Sequence, residues 1–312
     1  MALRPRFAYL FLGIALVATL AAPSRADHPA PFALRDLDDA LVMLPVTAGS
    51  FVTLAAYDPD TRHPLAVTWS HAAGAIAHGP REARWKAPDA PGVYPLTGKA
   101  TVGDKTFHRQ ITAFVTVPAT QARDGVINGY RVGRYPALMA LNARGTVSRS
   151  SRPADLPEGF IKLDDASRKA KVSKHFTLGQ FETKDGKRAE KYMFLDTRLV
   201  TKLERIVKEL NSQGYKASGL RIMSGYRTPA YNSGIGNKTS LSRHTYGDAA
   251  DILADDWNRD GTITKADAQI LYRIADRLDR TTDLTGGLSL YEPNSAHGWF
   301  VHVDARGKAS RW

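Results

Sequence analysis

One ten-residue stretch constrains the fold of this chain more than any other. Residues 242–251 read Ser-Arg-His-Thr-Tyr-Gly-Asp-Ala-Ala-Asp, so His244 and Asp251 lie on either side of a glycine and two alanines. Near the C-terminus, residues 297–304 read His-Gly-Trp-Phe-Val-His-Val-Asp and add His302. Imidazole and carboxylate groups are ligands of hydrolytic zinc, which keeps three protein ligands and one open water position. The pattern therefore predicts a zinc site made by His244, Asp251 and His302.

The hydrophobic pattern around these residues predicts a mixed domain of strands and helices. Residues 220–224, 248–253 and 300–304 are expected to be strands, and alternation along the last one places His302 and Asp304 on one face. Leucines and isoleucines with helical spacing predict a helix from about 195 to 210, with Asp196 as its cap, and another over about 266–278. The strands and helices do not alternate regularly. We therefore expect an α+β domain over residues 171–312.

The same segments resemble a known family. The pattern Ser-x-His-x-x-Gly-x-Ala-x-Asp, followed by a late Val-His-Val-Asp, resembles the zinc D-Ala-D-Ala metallopeptidases of the M15 type. The tail, with Gly286-Gly287, Tyr291, the strand at 300–304 and Arg311-Trp312, is similar to that of periplasmic murein endopeptidases. The resemblance covers residues 170–312. It implies a zinc peptidase that cuts stem-peptide or cross-link bonds of peptidoglycan, of the D-Ala or diaminopimelate type, as an endopeptidase or a carboxypeptidase.

The resemblance also suggests which residues assist the metal. Arg227, in Ser224-Gly-Tyr-Arg, matches the arginine of the family and suits a carboxylate or a developing oxyanion; the alternative is a structural salt bridge. Many relatives carry an acidic residue three positions before the last histidine ligand, where this chain has Trp299. We assign His297 as the acid/base or oxyanion-stabilising group. Asp304 is expected to orient a histidine and is the other candidate for the base.

The departure at Trp299 supports an alternative function from a different class. A chain that kept the zinc fold but lost the catalytic acid would be a non-catalytic protein that binds the cell wall. His175 is a weaker candidate for the missing group, and we expect it to have a structural role.

A calcium-loop pattern lies between the two zinc segments. Residues 256–267 place oxygen ligands at positions 1, 3, 5, 9 and 12, with Gly261 at position 6 and Ile263 at position 8. Gly261 allows the sharp turn of such a loop. The alternative is an acidic surface turn in which Asp267 caps a helix. The predicted calcium ligands are Asp256, Asn258, Asp260, the Thr262 carbonyl, Thr264 and Asp267.

The first third of the chain predicts an exported protein with a β-rich module. Residues 1–26 have early arginines, an apolar run and small residues before Asp27, which is typical of a secretory signal peptide. Short strand-like runs separated by turn formers, with Trp69 and Trp85, predict an immunoglobulin-like β-sandwich over residues 36–117. Residues 118–170 are expected to be a connector. The histidines of the β-rich part lack ligand spacing and are not expected to bind metal.

Length, charge and cysteine content limit the kinds of partner and compartment that are expected for this chain. A length of 312 residues suggests about two domains. The net charge of +12 favours polyanionic partners, and without basic runs interleaved with aromatic residues an anionic cell wall is expected rather than nucleic acid. The chain has no cysteine, which excludes disulfides and thiolate chemistry. We expect a protein of the periplasm, envelope or extracellular space, without stable membrane insertion after signal cleavage.

Overall fold

A computed structural model describes residues 32–34, 37–71, 73, 75–135, 158–237 and 242–312. The predicted signal peptide, residues 1–26, lies outside these residues. Within the described ranges, no helix is both long enough and apolar enough to cross a membrane.

The first half of the described chain is built of strands. They are β1 (Ala33–Leu34), β2 (Met43–Thr47), β3 (Phe51–Tyr57), β4 (Pro64–Leu65), β5 (Val67–His71), β6 (Ala75–His78), β7 (Glu82–Lys86), β8 (Gly92–Val102), β9 (Lys105–Pro118), β10 (Val126–Ile127) and β11 (Tyr130–Arg131), with a 3-10 turn at Ala119–Gln121.

Strands β1 to β9 form two sheets around a shared core, and β10 and β11 pair separately with each other. One sheet has the order β1-β3-β7-β6 with β4 on β3, and in the other β9 pairs with β8, β8 with β5, and β2 with β9 in parallel. Trp85 from the first sheet and Trp69 from the second are both buried in the core. Gly98 makes room for Trp69, because a Cβ at this position would lie 3.0 Å from the indole. The β-rich first half agrees with the all-β layout expected there.

Regular structure occupies part of the range 118–170, for which we expected a connector. β12 (Gly159–Leu163) pairs antiparallel with the end of β9, where Phe160 lies opposite Val117. The apolar sequence of β12 therefore extends the second sheet instead of linking two modules. Helix α1 (Asp165–Lys169) follows, capped by the Asp164 side chain. The residues from 136 to 157 lie outside the described part of the chain.

The second half mixes helices and strands. After β12 and α1, the further elements are β13 (Lys191–Met193), α2 (Thr197–Ser212), β14 (Arg221–Ser224), α3 (Pro229–Gly234), β15 (Ala249–Leu253), α4 (Lys265–Thr281), β16 (Gly287–Tyr291), β17 (Phe300–Asp304) and β18 (Ser310–Arg311), with 3-10 turns at Leu178–Phe181 and Arg243–Tyr246. This part has the α+β character predicted from the sequence.

A five-stranded sheet with the order β14-β15-β17-β16-β18 organises this half. Its side chains alternate between two faces, as a strand requires. Ile252, Val301 and Val303 belong to the hydrophobic core together with residues of α2 and α4. The opposite face carries Asp251 and His302, which are paired across β15 and β17. We call it the site face. The helices thus cover one side of the sheet, while the other side carries the two predicted ligands.

The two long helices match the predicted ones in position, and α2 also has its predicted cap. α2 begins after Asp196, whose side chain accepts a hydrogen bond from the Arg198 amide at 2.8 Å. Gly214 follows the helix with a φ of 86°, a left-handed value that glycine adopts without strain. α4 begins after Thr264, in a capping box with Asp267. Periodicity therefore sufficed to locate both helices, and cap chemistry located the start of α2.

A buried lysine ties α2 to α4 and to the end of β17. Lys202 has no exposed surface, and its Nζ lies 2.5 Å from Asp279 Oδ1 and 2.7 Å from the Asp304 carbonyl oxygen. Asp279 also accepts from Arg311 at 2.8 Å. Burial lowers the pKa of Lys202, and the attraction of Asp279 works against this effect. Removing one member of such a buried set leaves a charge without compensation.

We predict that Lys202→Met lowers the free energy of unfolding by about 3 kcal/mol, because the change breaks a buried ion pair. Lys208→Met, on the exposed side of the same helix, is the matched control and should change it by less than about 0.5 kcal/mol. Urea unfolding at neutral pH measures both. Equal stabilities of the two variants would show that Arg311 alone satisfies Asp279.

Candidate metal centre

The pairing of β15 with β17 places two of the predicted ligands directly opposite each other. Asp251 and His302 are register partners, and facing residues of an antiparallel pair have Cβ atoms about 5 Å apart. His302 Nδ1 lies 2.9 Å from Asp251 Oδ1. Residues far apart in the sequence are thus joined by the backbone register of one strand pair.

The third predicted ligand, His244, comes from the 3-10 turn that leads into β15. Its Nε2 lies 3.3 Å from Asp251 Oδ1. Gly247 ends the turn with a φ of 74°, and a Cβ there would lie 2.5 Å from the Phe194 backbone. Only glycine meets both conditions, which explains the small residue between the two ligands.

The three side chains together form a metal-competent group. One ligand atom from each of His244, Asp251 and His302 lies within 4.8 Å of the others, and all three residues are buried. Within the described ranges this is the one group of three or more such residues. Two imidazoles and a carboxylate are a donor set that fits zinc with one position left open.

Hydrogen bonds fix which nitrogen of each histidine faces the group. His244 Nδ1 lies 2.6 Å from the Gly225 carbonyl oxygen, to which it donates, so Nε2 is free to accept a metal. His302 Nε2 lies 3.3 Å from Asp304 Oδ2, which leaves Nδ1 on the ligand side. Asp304 in turn accepts from the Gly287 amide at 2.7 Å and from Arg306 Nε at 2.9 Å. Outer contacts of this kind orient metal ligands.

The electrostatics of the group favour a bound cation. Burial opposes ionisation of Asp251, but attraction and hydrogen bonds from His244 and His302 prevail and hold its pKa below the usual range. Burial lowers the pKa of His244. It also acts to lower the pKa of His302, but hydrogen bonds to Asp251 and Asp304 raise it overall. Asp251 is therefore a carboxylate at neutral pH, in a buried place where positive charge stabilises it.

Arg227 forms an ion pair with Asp251, one of the three predicted metal ligands. Its Nη2 lies 2.5 Å from Asp251 Oδ2, the oxygen that does not face the histidines, and its Nε donates to Ser224 Oγ at 2.8 Å. Ser224 lies opposite Asp251 in the β14–β15 pair. Arg227 thus makes the salt bridge that the sequence left open as an alternative, and it does so at the metal centre.

His297 is not brought into the ligand group. Its Nε2 lies 2.8 Å from Asn294 Nδ2, and its ring meets Phe300 edge-on at 4.7 Å between centroids. Trp299, at the position where relatives carry an acid, lies with its ring 5.9 Å from Lys265 Nζ. Among the predicted assisting groups, Asp304 is the one that hydrogen-bonds a ligand histidine. His175 lies outside the group, where its Nδ1 and amide bind Glu204 at 2.7 and 2.8 Å.

The predicted calcium loop is closed by hydrogen bonds of its own acidic side chains. Asp256 accepts from the Gly261 amide at 2.9 Å, Asp260 from the Thr262 amide at 2.9 Å, and Asp267 from the Trp257 and Thr264 amides at 3.0 and 2.9 Å. In the described part of the chain, these carboxylates do not gather into a group of three with metal-ligand spacing. The contacts do not support calcium and also fit an acidic turn in which Asp267 caps α4.

Sequence reasoning missed several residues that support the centre. Gly225 contributes a backbone carbonyl, which no side-chain pattern reveals. Arg306 pairs with Asp304, and its position two residues later on the same chain segment was a signal that could have been used. Trp312 lies with its ring centroid 5.2 Å from that of His302. The sequence analysis noted this tryptophan only as part of the C-terminal segment that is similar to murein endopeptidases.

Comparison with protein families identifies this part of the chain. The sequence model of the Peptidase M15 family matches residues 174–281. The C-terminal part is an M15-type metallopeptidase domain. The matched range contains Arg227, His244 and Asp251 but ends before β16 and β17, so His302 joins the M15 domain through the strand pairing described above. Peptidases of this family depend on zinc, in agreement with the donor set.

A search of curated proteins found no match. Among solved structures, a chimeric titin Z1Z2 functionalized with a KLER exogenous peptide from decorin is similar at 19% identity, over 28% of this chain and 94% of that chain, with a TM-score of 0.19. A TM-score at this level carries no structural argument.

We predict that His244→Ala loses bound zinc, because it removes one of three ligand atoms. Metal analysis of the purified protein after zinc loading and desalting measures the stoichiometry. His175→Ala, which alters a histidine bonded to Glu204 outside the group, should keep one zinc per chain. Full zinc content in the His244 variant would refute the ligand assignment.

Proposed function

We propose that this protein is an exported zinc peptidase that hydrolyses stem-peptide or cross-link bonds of peptidoglycan, of the D-Ala or diaminopimelate type. The observation that carries the proposal is the buried group of His244, Asp251 and His302 in an M15-type domain. The export signal expected in residues 1–26 and the charge of +12 support a site of action at an anionic wall.

The chain's own residues hold and tune the centre. When bound, zinc supplies Lewis-acid chemistry that polarises a peptide carbonyl and lowers the pKa of water. Asp304 keeps His302 in one orientation, and the Gly225 carbonyl does the same for His244. Arg227 neutralises the outer oxygen of Asp251, and its guanidinium has further N–H groups that can bind a substrate carboxylate or an oxyanion.

His297 is the proposed proton-transfer group. It lies in the segment before β17, half-buried and packed on Phe300. Phe300 and His302 share one face of this strand, two residues apart, so they are about 7 Å apart along it. His297 is therefore on the side of the sheet where a substrate at the metal centre would lie. Asp304 is the other candidate, although its carboxylate is occupied by Arg306 and the Gly287 amide.

The β-rich half is proposed to be an immunoglobulin-like module that faces the wall. Two sheets around a tryptophan core and the parallel pairing of β2 with β9 support an immunoglobulin-like arrangement. The sheets expose several basic residues, among them Arg84, Lys86 and Lys99. Such a surface suits an anionic polymer.

We predict that the zinc-loaded wild type releases defined peptide fragments from purified peptidoglycan, and that Arg227→Ala and His297→Ala keep zinc but lose about a hundredfold in rate. Mass spectrometry of the soluble products identifies the bond that is cut. Arg221→Ala, on the exposed side of β14, and His63→Ala, exposed in the β-rich half, are matched controls that should retain the wild-type rate.

Two outcomes would change this reading. If the zinc-loaded wild type binds the wall without releasing fragments, the alternative of a non-catalytic wall-binding protein is correct. If Asp304→Asn keeps zinc but is inactive while His297→Ala is active, the base is Asp304.

We also propose that calcium binds the loop formed by residues 256–267, because its oxygen-bearing residues follow the spacing of a calcium loop. At a calcium concentration ten times the dissociation constant, the melting temperature should rise by about 3 °C. Asp260→Ala removes a ligand and should abolish this rise, whereas Asp104→Ala, at the exposed turn between β8 and β9, should keep it. Thermal unfolding of the zinc-loaded proteins with and without calcium measures the effect. If calcium changes the melting temperatures of wild type and Asp260→Ala equally, the loop is an acidic turn that does not bind calcium.

A further inference from the structure

A row of aromatic rings begins beside the ligand His302 and follows the site face. Trp312 lies 5.2 Å from His302 between ring centroids, and its Nε1 donates to Tyr291 Oη at 2.7 Å. Tyr291 stacks on Phe300 at 4.4 Å with an angle of 6°, and His297 meets Phe300 edge-on. We call Trp312, Tyr291, Phe300 and His297 the aromatic shelf.

The shelf follows from the strand register. Tyr291 and Phe300 are partners in the β16–β17 pair, and Ser289 and His302 are partners in the same pair. Because side chains alternate along a strand, Ser289, Tyr291, Phe300 and His302 all lie on the site face. The ladder that holds His302 at the metal centre therefore also fixes an aromatic surface next to it.

Trp312 is anchored but remains exposed. Its carbonyl oxygen accepts from Ser289 Oγ at 2.5 Å, and the Arg306 guanidinium lies 5.7 Å from its ring centroid. Gly287 leaves space for the indole, because a Cβ there would lie 3.0 Å from the ring. Even so, 56% of Trp312 is exposed to solvent. The indole of Trp312 is held in place, yet much of its apolar surface stays in water. Its position therefore contributes much less to folding stability than full burial would.

The charges nearby indicate what the shelf can accept. The side chains of its four members carry no carboxylate, and the adjacent cation, Arg306, is paired with Asp304. Arg306 binds Asp304 through both Nε and Nη2, which offsets much of its charge toward a substrate carboxylate. An indole face instead suits an uncharged, CH-rich group, which gains from apolar contact.

We propose that the aromatic shelf is a substrate subsite beside the metal centre, and that Trp312 contacts an uncharged, CH-rich part of the substrate next to the scissile bond. This inference rests on the proposed function and adds a specificity-determining residue to it. The contact contributes to binding before and during the reaction alike. Its loss should therefore raise KM and leave kcat nearly unchanged.

The test uses the full-length zinc-loaded protein and a soluble, cross-linked muropeptide. Trp312→Ala should raise KM about tenfold, the equivalent of one lost apolar contact, with kcat within about threefold and zinc content unchanged. Trp312→Phe keeps an aromatic ring without the indole N–H, and its KM should fall between those of the wild type and Trp312→Ala. Phe51→Ala removes another exposed aromatic residue, in the β-rich half, and should match the wild type. A KM of Trp312→Ala within twofold of wild type would overturn the proposal.

A structural role has a different signature. If Trp312 only shields His302, Trp312→Ala should lose zinc or lower the melting temperature while Trp312→Phe restores both, and KM of the metal-loaded fraction should not move. That result would also overturn the subsite.

Calorimetric titration of the same muropeptide separates this inference from the proposed function. A wild type that cleaves nothing ends the peptidase proposal, yet its dissociation constant can still be compared with that of Trp312→Ala. About tenfold weaker binding of the variant supports the subsite even then. Equal binding, or no binding by the wild type, overturns it.

Discussion

The pairing of Asp251 with His302 across β15 and β17 is the contact on which the metal centre depends. Side chains alternate with a period of two along a strand, so a slip of one residue would turn His302 into the core and bring Val301 or Val303 to the site face. Val301 and Val303 are fully buried against the helices. The hydrophobic free energy of that face thus fixes the register, and the register fixes the distance between two ligands.

Three buried carboxylates lie at or near this pair, and each of them is bound by an arginine. Asp251 has Arg227, Asp304 has Arg306, and Asp248 has Arg243, whose Nε lies 3.0 and 2.9 Å from its two oxygens. Burial raises the pKa of Asp248 to about 6 even though Arg243 acts to lower it. Buried ion pairs of this kind add little net stability, because desolvation offsets most of their attraction. Their contribution here is geometric, since each pair holds a ligand or the turn that carries one.

The sequence predicted the elements whose signal is local. Periodicity located α2 and α4, a cap marked the start of α2, alternation located β17, and spacing brought His244, Asp251 and His302 together as candidates. The remaining features depend on contacts that form only in the folded chain. The Gly225 carbonyl beside His244 has no side-chain signature, and the position of Trp312 beside His302 depends on the pairing of β18 with β16. β12 was assigned to a connector because a short strand is recognisable only beside the sheet edge that it extends.

The β-rich half also supports the metal centre from outside the M15 match. Tyr135 Oη lies 2.6 Å from Tyr226 Oη, and both residues are buried. Tyr226 immediately precedes Arg227, and its amide donates to the Phe181 carbonyl. A Cβ at Gly133 would lie 2.6 Å from the Ala230 amide nitrogen. The chain from 130 to 135 therefore packs on both sides of the arginine segment. Since Arg227 holds the outer oxygen of Asp251, its position depends on packing between the two halves as well as on the zinc motif.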